Sequence, residues 1–124
     1  MTASQKVVLL VEDEDDARNL LATLLEEGGY QVLRAANGVE ALNLLESARG
    51  ACNIILLDLM MPVMNGWDFR RKQKQNPLYA GIPVLLMSAG ARIASASGDL
   101  DAAGYVTKPV EVDDLLEKVR QHCC

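Results

Sequence analysis

At 124 residues the chain has the length of one domain, and a chain of that size buries roughly two-thirds of the surface its unfolded form exposes. Half of the residues are apolar but only 4% are aromatic, so the core must be aliphatic. The net charge of −5, from 12 basic and 17 acidic residues without a Lys/Arg cluster, argues against direct nucleic-acid binding, and the apolar runs are too short to enter and span a bilayer.

Residues 1–6 (MTASQK) lack the apolar run of a secretory signal, so a cytoplasmic location is expected. Val7–Val11 is continuous and β-branched, as in a strand buried on both faces. Ala17, Leu20, Leu21, Leu24 and Leu25 then recur at helical spacing, and Gly28-Gly29 ends that helix. Gln31–Ala35 reads as a second, less apolar strand nearer an edge. Asn37-Gly38 turns the chain into a helix carrying Val39, Leu42 and Leu45. Ile54–Leu57 is a third strand with Asp58 at its carboxyl end. Turns at Pro62 and Asn65-Gly66 lead into a polar helix running toward Asn76-Pro77. Pro83–Ser88 is the fourth strand, and residues 89–104, rich in Ala, Gly and Ser, give the weakest helical signal. Tyr105–Thr107 forms a short fifth strand before Lys108-Pro109, and Val112, Leu115, Leu116 and Val119 stripe a closing helix. Strands alternating with helices imply an α/β fold with a parallel sheet and helices on both faces.

In such sheets, ligands bind outside the carboxyl ends of the strands. The first strand delivers Glu12 and Asp13 there, the third Asp58, the fourth Ser88 and the fifth Lys108. Each has a bland alternative. Glu12–Asp16 could be a solvated acidic run, Asp58 a cap, Ser88 a turn residue, and Lys108-Pro109 alone says little. Their joint placement at the ends of the right strands makes coincidence improbable. Crowded carboxylates repel unless a cation joins them. With all-oxygen ligands, a hard divalent ion such as Mg²⁺ is the chemical match. An ammonium and a hydroxyl suit phosphoryl oxygens, and a carboxylate can accept phosphorus. Cys52, Cys123 and Cys124 form neither a CxxC motif nor a disulfide framework, and the single histidine, His122, cannot build a metal centre alone.

The motifs "VLLVEDED", "IILLDLMMPVMNG", "VLLMSA" and "YVTKP", in this order, resemble the receiver domain of bacterial two-component response regulators over essentially the whole length. The resemblance implies a flavodoxin-like five-stranded sheet of order 2-1-3-4-5, and a stand-alone, chemotaxis-regulator-like receiver over 1–124 without an output domain. It implies that Asp58 is phosphorylated by a histidine kinase or histidine phosphotransfer protein. Asp13 would bind Mg²⁺ directly, Glu12 mainly through water, and the Met60 main-chain carbonyl would complete the set with Asp58. Lys108 would pair with the phosphoryl group, Ser88 would hydrogen-bond it, and Tyr105 would change rotamer on activation. A downstream protein would bind the helix 4–strand 5–helix 5 face, with no direct nucleic-acid binding and no membrane insertion. Such a domain is a phosphoacceptor that assists its own phosphorylation and dephosphorylation rather than an enzyme acting on a diffusible substrate.

The chain departs from the family pattern in places. Glu12 stands where many members have Asp, the Ser88–Lys108 segment is short, and "DLDAAGYV" lacks the customary Gly-Ala before the aromatic. Met60 and Gly90 occupy positions where the family tunes water access. Within the family, a phosphorelay shuttle or a kinase-titrating receiver is the alternative. From another class, a flavodoxin-like small-molecule-binding module lacks a phosphate cradle after strand one, where the acids would repel an anion.

Overall fold

The computed structural model describes residues 5–49, 51–61, 63–90 and 92–123; Pro62, Cys124 and the first four residues, all considered above, lie outside them. The strands are β1 (Val7–Val11), β2 (Gln31–Ala35), β3 (Ile54–Asp58), β4 (Val84–Ser88) and β5 (Gly104–Thr107). They alternate with the helices α1 (Asp15–Glu27), α2 (Gly38–Ser47), α3 (Gly66–Gln75), α4 (Ile93–Asp99) and α5 (Val112–His122). The sheet order is β2-β1-β3-β4-β5, and every pairing is parallel. This is the flavodoxin-like arrangement implied by the motifs. No described helix is long and apolar enough to cross a membrane.

The continuous apolar runs form the centre of the sheet. All five residues of both β3 and β4 are buried, because helices cover both faces of these strands. Alternate side chains feed two separate cores. Leu9, Val11, Ile55, Leu57, Val84 and Leu86 pack with Ala41, Leu45, Phe69, Ile93 and Ala96 from α2, α3 and α4. Val8, Leu10, Ile54, Leu56, Leu85 and Met87 pack with Leu21, Ala22, Leu25, Leu115 and Val119 from α1 and α5. The polar second strand lies at the edge, where one side lacks a strand neighbour.

Helix starts follow local chemistry. The Asn37 side chain accepts from the Glu40 amide at 2.9 Å, while the Glu40 carboxylate accepts from the Ala36 amide at 2.9 Å, a reciprocal cap. Asn65 caps α3 through the Asp68 amide at 2.9 Å. Three details depart from the sequence patterns. Leu20 is 60% exposed and Val39 42%, so the inward stripes of α1 and α2 run through Ala22 and Ala41 instead. The Ala/Ser/Gly-rich segment does form a helix, but one of seven residues. The chain leaves it through Asp101 at φ +53°, in the left-handed region that Asp tolerates better than most residues.

Candidate functional site

The carboxyl ends of β1, β3, β4 and β5 open onto a cavity of about 810 Å³, whose walls include Glu12, Asp13, Asp58, Ser88 and Lys108. All five side chains singled out at strand ends therefore meet in one place. The acidic run is not uniformly solvated. Glu12 is 1% exposed, whereas Asp13 through Asp16 are exposed, the last two in the first turn of α1. Asp58 is 3% exposed, held at the end of a strand whose every residue is covered.

Two buried carboxylates side by side need a partner, and Lys108 supplies it. Its Nζ donates to Glu12 Oε1 at 2.7 Å and to Asp58 Oδ2 at 3.1 Å. Burial alone would push the Lys108 ammonium down, but these hydrogen bonds and the two negative charges outweigh it, and its pKa is raised. The other Asp58 oxygen, Oδ1, accepts from the Met60 amide at 3.0 Å, so the carboxylate is oriented from both sides. Nothing in the sequence marks that amide, since every residue but proline carries one. The Met60 side chain is 70% exposed.

Asp13 adds the third acid. One ligand oxygen from each of Glu12, Asp13 and Asp58 lies within 4.8 Å of the others. Three carboxylate oxygens, without thiolate or imidazole in the group, match a hard divalent cation rather than zinc or copper. Ser88 Oγ accepts from the Gly90 amide at 3.0 Å and faces the same cavity. Tyr105 lies apart from it. The residue sits on edge strand β5, opposite Leu86 in the register, is 36% exposed, and has the Lys118 ammonium 5.6 Å from its ring centre.

Trp67 from α3 and Arg92 just before α4 also line the cavity. Neither carried a signal in the sequence, since Trp67 sits in a polar helix and Arg92 in the segment of weakest periodicity. Gly66 has a clear reason to be glycine. A Cβ there would lie 2.9 Å from Leu59 Cα and 3.1 Å from the Asp58 carbonyl oxygen, so a side chain would push on the backbone that carries Asp58. The intervening loop also holds Val63 at φ +68°, an unusual conformation for a β-branched residue.

Comparison with known proteins bears on the family and the fold. Residues 8–120 match the family model of the response regulator receiver domain. The chain is 34% identical over 124 residues to an uncharacterized 14.6 kDa protein of Leptolyngbya boryana, covering 98% of this chain and 93% of that one. It is 35% identical to the sensory transduction protein RegX3 of Mycolicibacterium smegmatis, covering 91% of this chain and 48% of that protein. The chain thus spans about half the length of that relative, as it does of others. Among solved structures, the Vibrio cholerae chemotaxis protein CheY4 superposes with a TM-score of 0.87 at 28% identity, covering 96% of this chain and 99% of that one. The fold, the motifs and these matches together place the chain in the response regulator receiver domain family, the phosphorylation-activated switches of two-component signal transduction.

Proposed function

We propose that Asp58 is the phosphoacceptor of this receiver, supplied by a histidine kinase or a histidine phosphotransfer protein. The observation that carries the assignment is the double hydrogen bond from Lys108 to Glu12 and Asp58, at the carboxyl ends of the strands. Asp58 is buried enough to be short of water, yet opens onto a cavity large enough for a phosphoryl group. Its oxygen attacks phosphorus while the bond to the donor's leaving group breaks and the leaving group takes the electron pair. Lys108 and Ser88 then hold the transferred oxygens, and the Met60 amide holds the remaining carboxyl oxygen.

Glu12, Asp13 and Asp58, with the Met60 main-chain carbonyl, are the residues that would hold Mg²⁺. When bound, the ion neutralises the crowded carboxylates and draws charge from the phosphoryl oxygens. With these groups in place the domain assists its own phosphorylation and hydrolysis. Tyr105 and the surface of α4, β5 and α5 carry the output, through a rotamer change as Ser88 moves toward the phosphoryl group. A downstream protein preferring that state shifts the population by its differential affinity.

Acetyl phosphate with Mg²⁺ should add one phosphoryl group, read by intact mass under mild conditions. Asp58→Asn should remain unlabelled and Lys108→Ala should be labelled more slowly. Labelling of Asp58→Asn as fast as wild type would remove Asp58 from this role.

A further inference from the structure

We propose that Arg92 is a guiding cation for the phosphoryl donor, set on the rim of the Asp58 cavity opposite the acids; this rests on Asp58 being the phosphoacceptor. The charged groups lining the cavity are four carboxylates, Glu12, Asp13, Glu14 and Asp58, against two cations, Lys108 and Arg92. Lys108 is already engaged by two of the carboxylates. Arg92 is exposed, makes no side-chain cap to α4, and has no ion pair among the described residues. Among the described residues it is therefore the cavity's one cation whose charge is not taken up by a neighbouring carboxylate.

The placement has a consequence for any anionic donor. Asp13 and Glu14, both exposed, follow β1 and repel a phosphoryl dianion on their side of the opening. Arg92 follows β4, which flanks β3 on the side away from β1, and attracts it there. A field of that shape raises the local concentration of the donor and turns its phosphoryl end inward. A guanidinium suits the task because its planar fork offers paired N–H donors to two phosphoryl oxygens. In transfer from acetyl phosphate, an Asp58 oxygen bonds to phosphorus, the phosphorus–oxygen bond to the acetyl group breaks, and acetate leaves with the electron pair. No proton is required, so Arg92 contributes charge and hydrogen bonds alone.

The test is the initial rate of Asp58 labelling in the full chain with Mg²⁺, at low and high salt. The donors are acetyl phosphate, doubly charged near neutral pH, and phosphoramidate, which carries less negative charge. Arg92→Gln should slow labelling by acetyl phosphate roughly three- to tenfold at low salt. The deficit should shrink at about 1 M salt, where screening acts within roughly 3 Å, and should be smaller for phosphoramidate. Arg92→Lys should recover most of the rate. Arg71→Gln makes the same change in net charge on α3 outside this cavity, and should match wild type. Trp67, the only tryptophan, lines the cavity and gives a second readout by fluorescence. Beryllofluoride should bind Arg92→Gln more weakly than wild type. Equal rates for Arg92→Gln and wild type at low salt, or a deficit independent of salt and donor charge, would overturn the role of Arg92 while leaving Asp58 as the acceptor. Failure of wild type to be labelled would overturn both.

Discussion

Arg70 offers the sharpest test of how this fold is held, because the structure puts a guanidinium where the sequence shows only a polar helix. The residue is 5% exposed. It donates to the Leu100 carbonyl at 2.9 Å, the Asp101 carbonyl at 2.8 Å and Gln73 Oε1 at 2.6 Å. Gln73, fully buried, passes the connection on to the carbonyls of Tyr79 at 2.9 Å and Ile82 at 3.1 Å. Arg70→Met keeps the apolar stem and removes all three donors. The Leu100 and Asp101 carbonyls can recover water near the surface, at a cost of about 1 kcal/mol or less each. The Gln73 oxygen cannot, and an unsatisfied buried acceptor costs about 1–3 kcal/mol. The sum is about 3 kcal/mol, or roughly 10 °C in melting temperature for a domain of this size. Urea titration and thermal melts measure it, and amide exchange should rise most at residues 97–102. Arg71→Met, which removes an exposed pair with Asp68, should stay within about 0.5 kcal/mol of wild type. A loss below about 1 kcal/mol in Arg70→Met would refute the view that this network fastens the end of α4.

Saturating Mg²⁺ should raise the melting temperature by relieving repulsion among Glu12, Asp13 and Asp58, with about 2.7 kcal/mol expected at a hundredfold excess over Kd; Asp13→Ala should abolish the shift, and an unchanged wild-type melt would count against the metal site. Gly66→Ala should cost about 1–3 kcal/mol because its Cβ meets the Leu59 backbone. Gly38→Ala, whose Cβ would lie 2.8 Å from the flexible Met64 Sδ, should cost less, and calorimetry on the two variants would separate backbone from side-chain crowding. Burial pushes the Cys52 thiol up, so the native state resists ionisation that the unfolded chain undergoes above about pH 8.5. The contribution is fully present below that value and is lost as pH rises toward the native pKa. Denaturation from pH 7 to 10 should show a steeper decline in wild type than in Cys52→Ala.

What could be foreseen divides along physical lines. The three central strands were legible because burial on both faces demands unbroken apolar runs. The site acids were legible because a charge at the end of such a run loses hydration, a cost that a bound cation or a paired lysine offsets. Leu20 and Val39 face solvent although they fit the periodicity, because a stripe of 3.6-residue period is broad enough to admit flanking positions. Arg70 and Gln73 were invisible for the opposite reason. Side chains that satisfy one another can be buried, but a sequence read singly assigns each of them to the surface. Helix α4 contributes only Ile93, Ala96 and Ser97 to the interior, too few for any periodicity to emerge. Arg92 and Trp67 reach the cavity through the course of the chain in space, which no local pattern records.

The division of the interior into two cores by one sheet bears on how such a domain can change over generations. Side chains on opposite faces of β1, β3 and β4 share a backbone but not a neighbourhood, so substitutions in the α1–α5 layer and in the α2–α3–α4 layer should combine additively. Each layer can then be revised without renegotiating the other, and one lineage could acquire a new binding specificity on one face while the opposite face keeps an old one. The cavity at the strand ends is the exception, because side chains from the central strands and the neighbouring loops of both layers converge on it. Variation there should be the most tightly interdependent in the molecule.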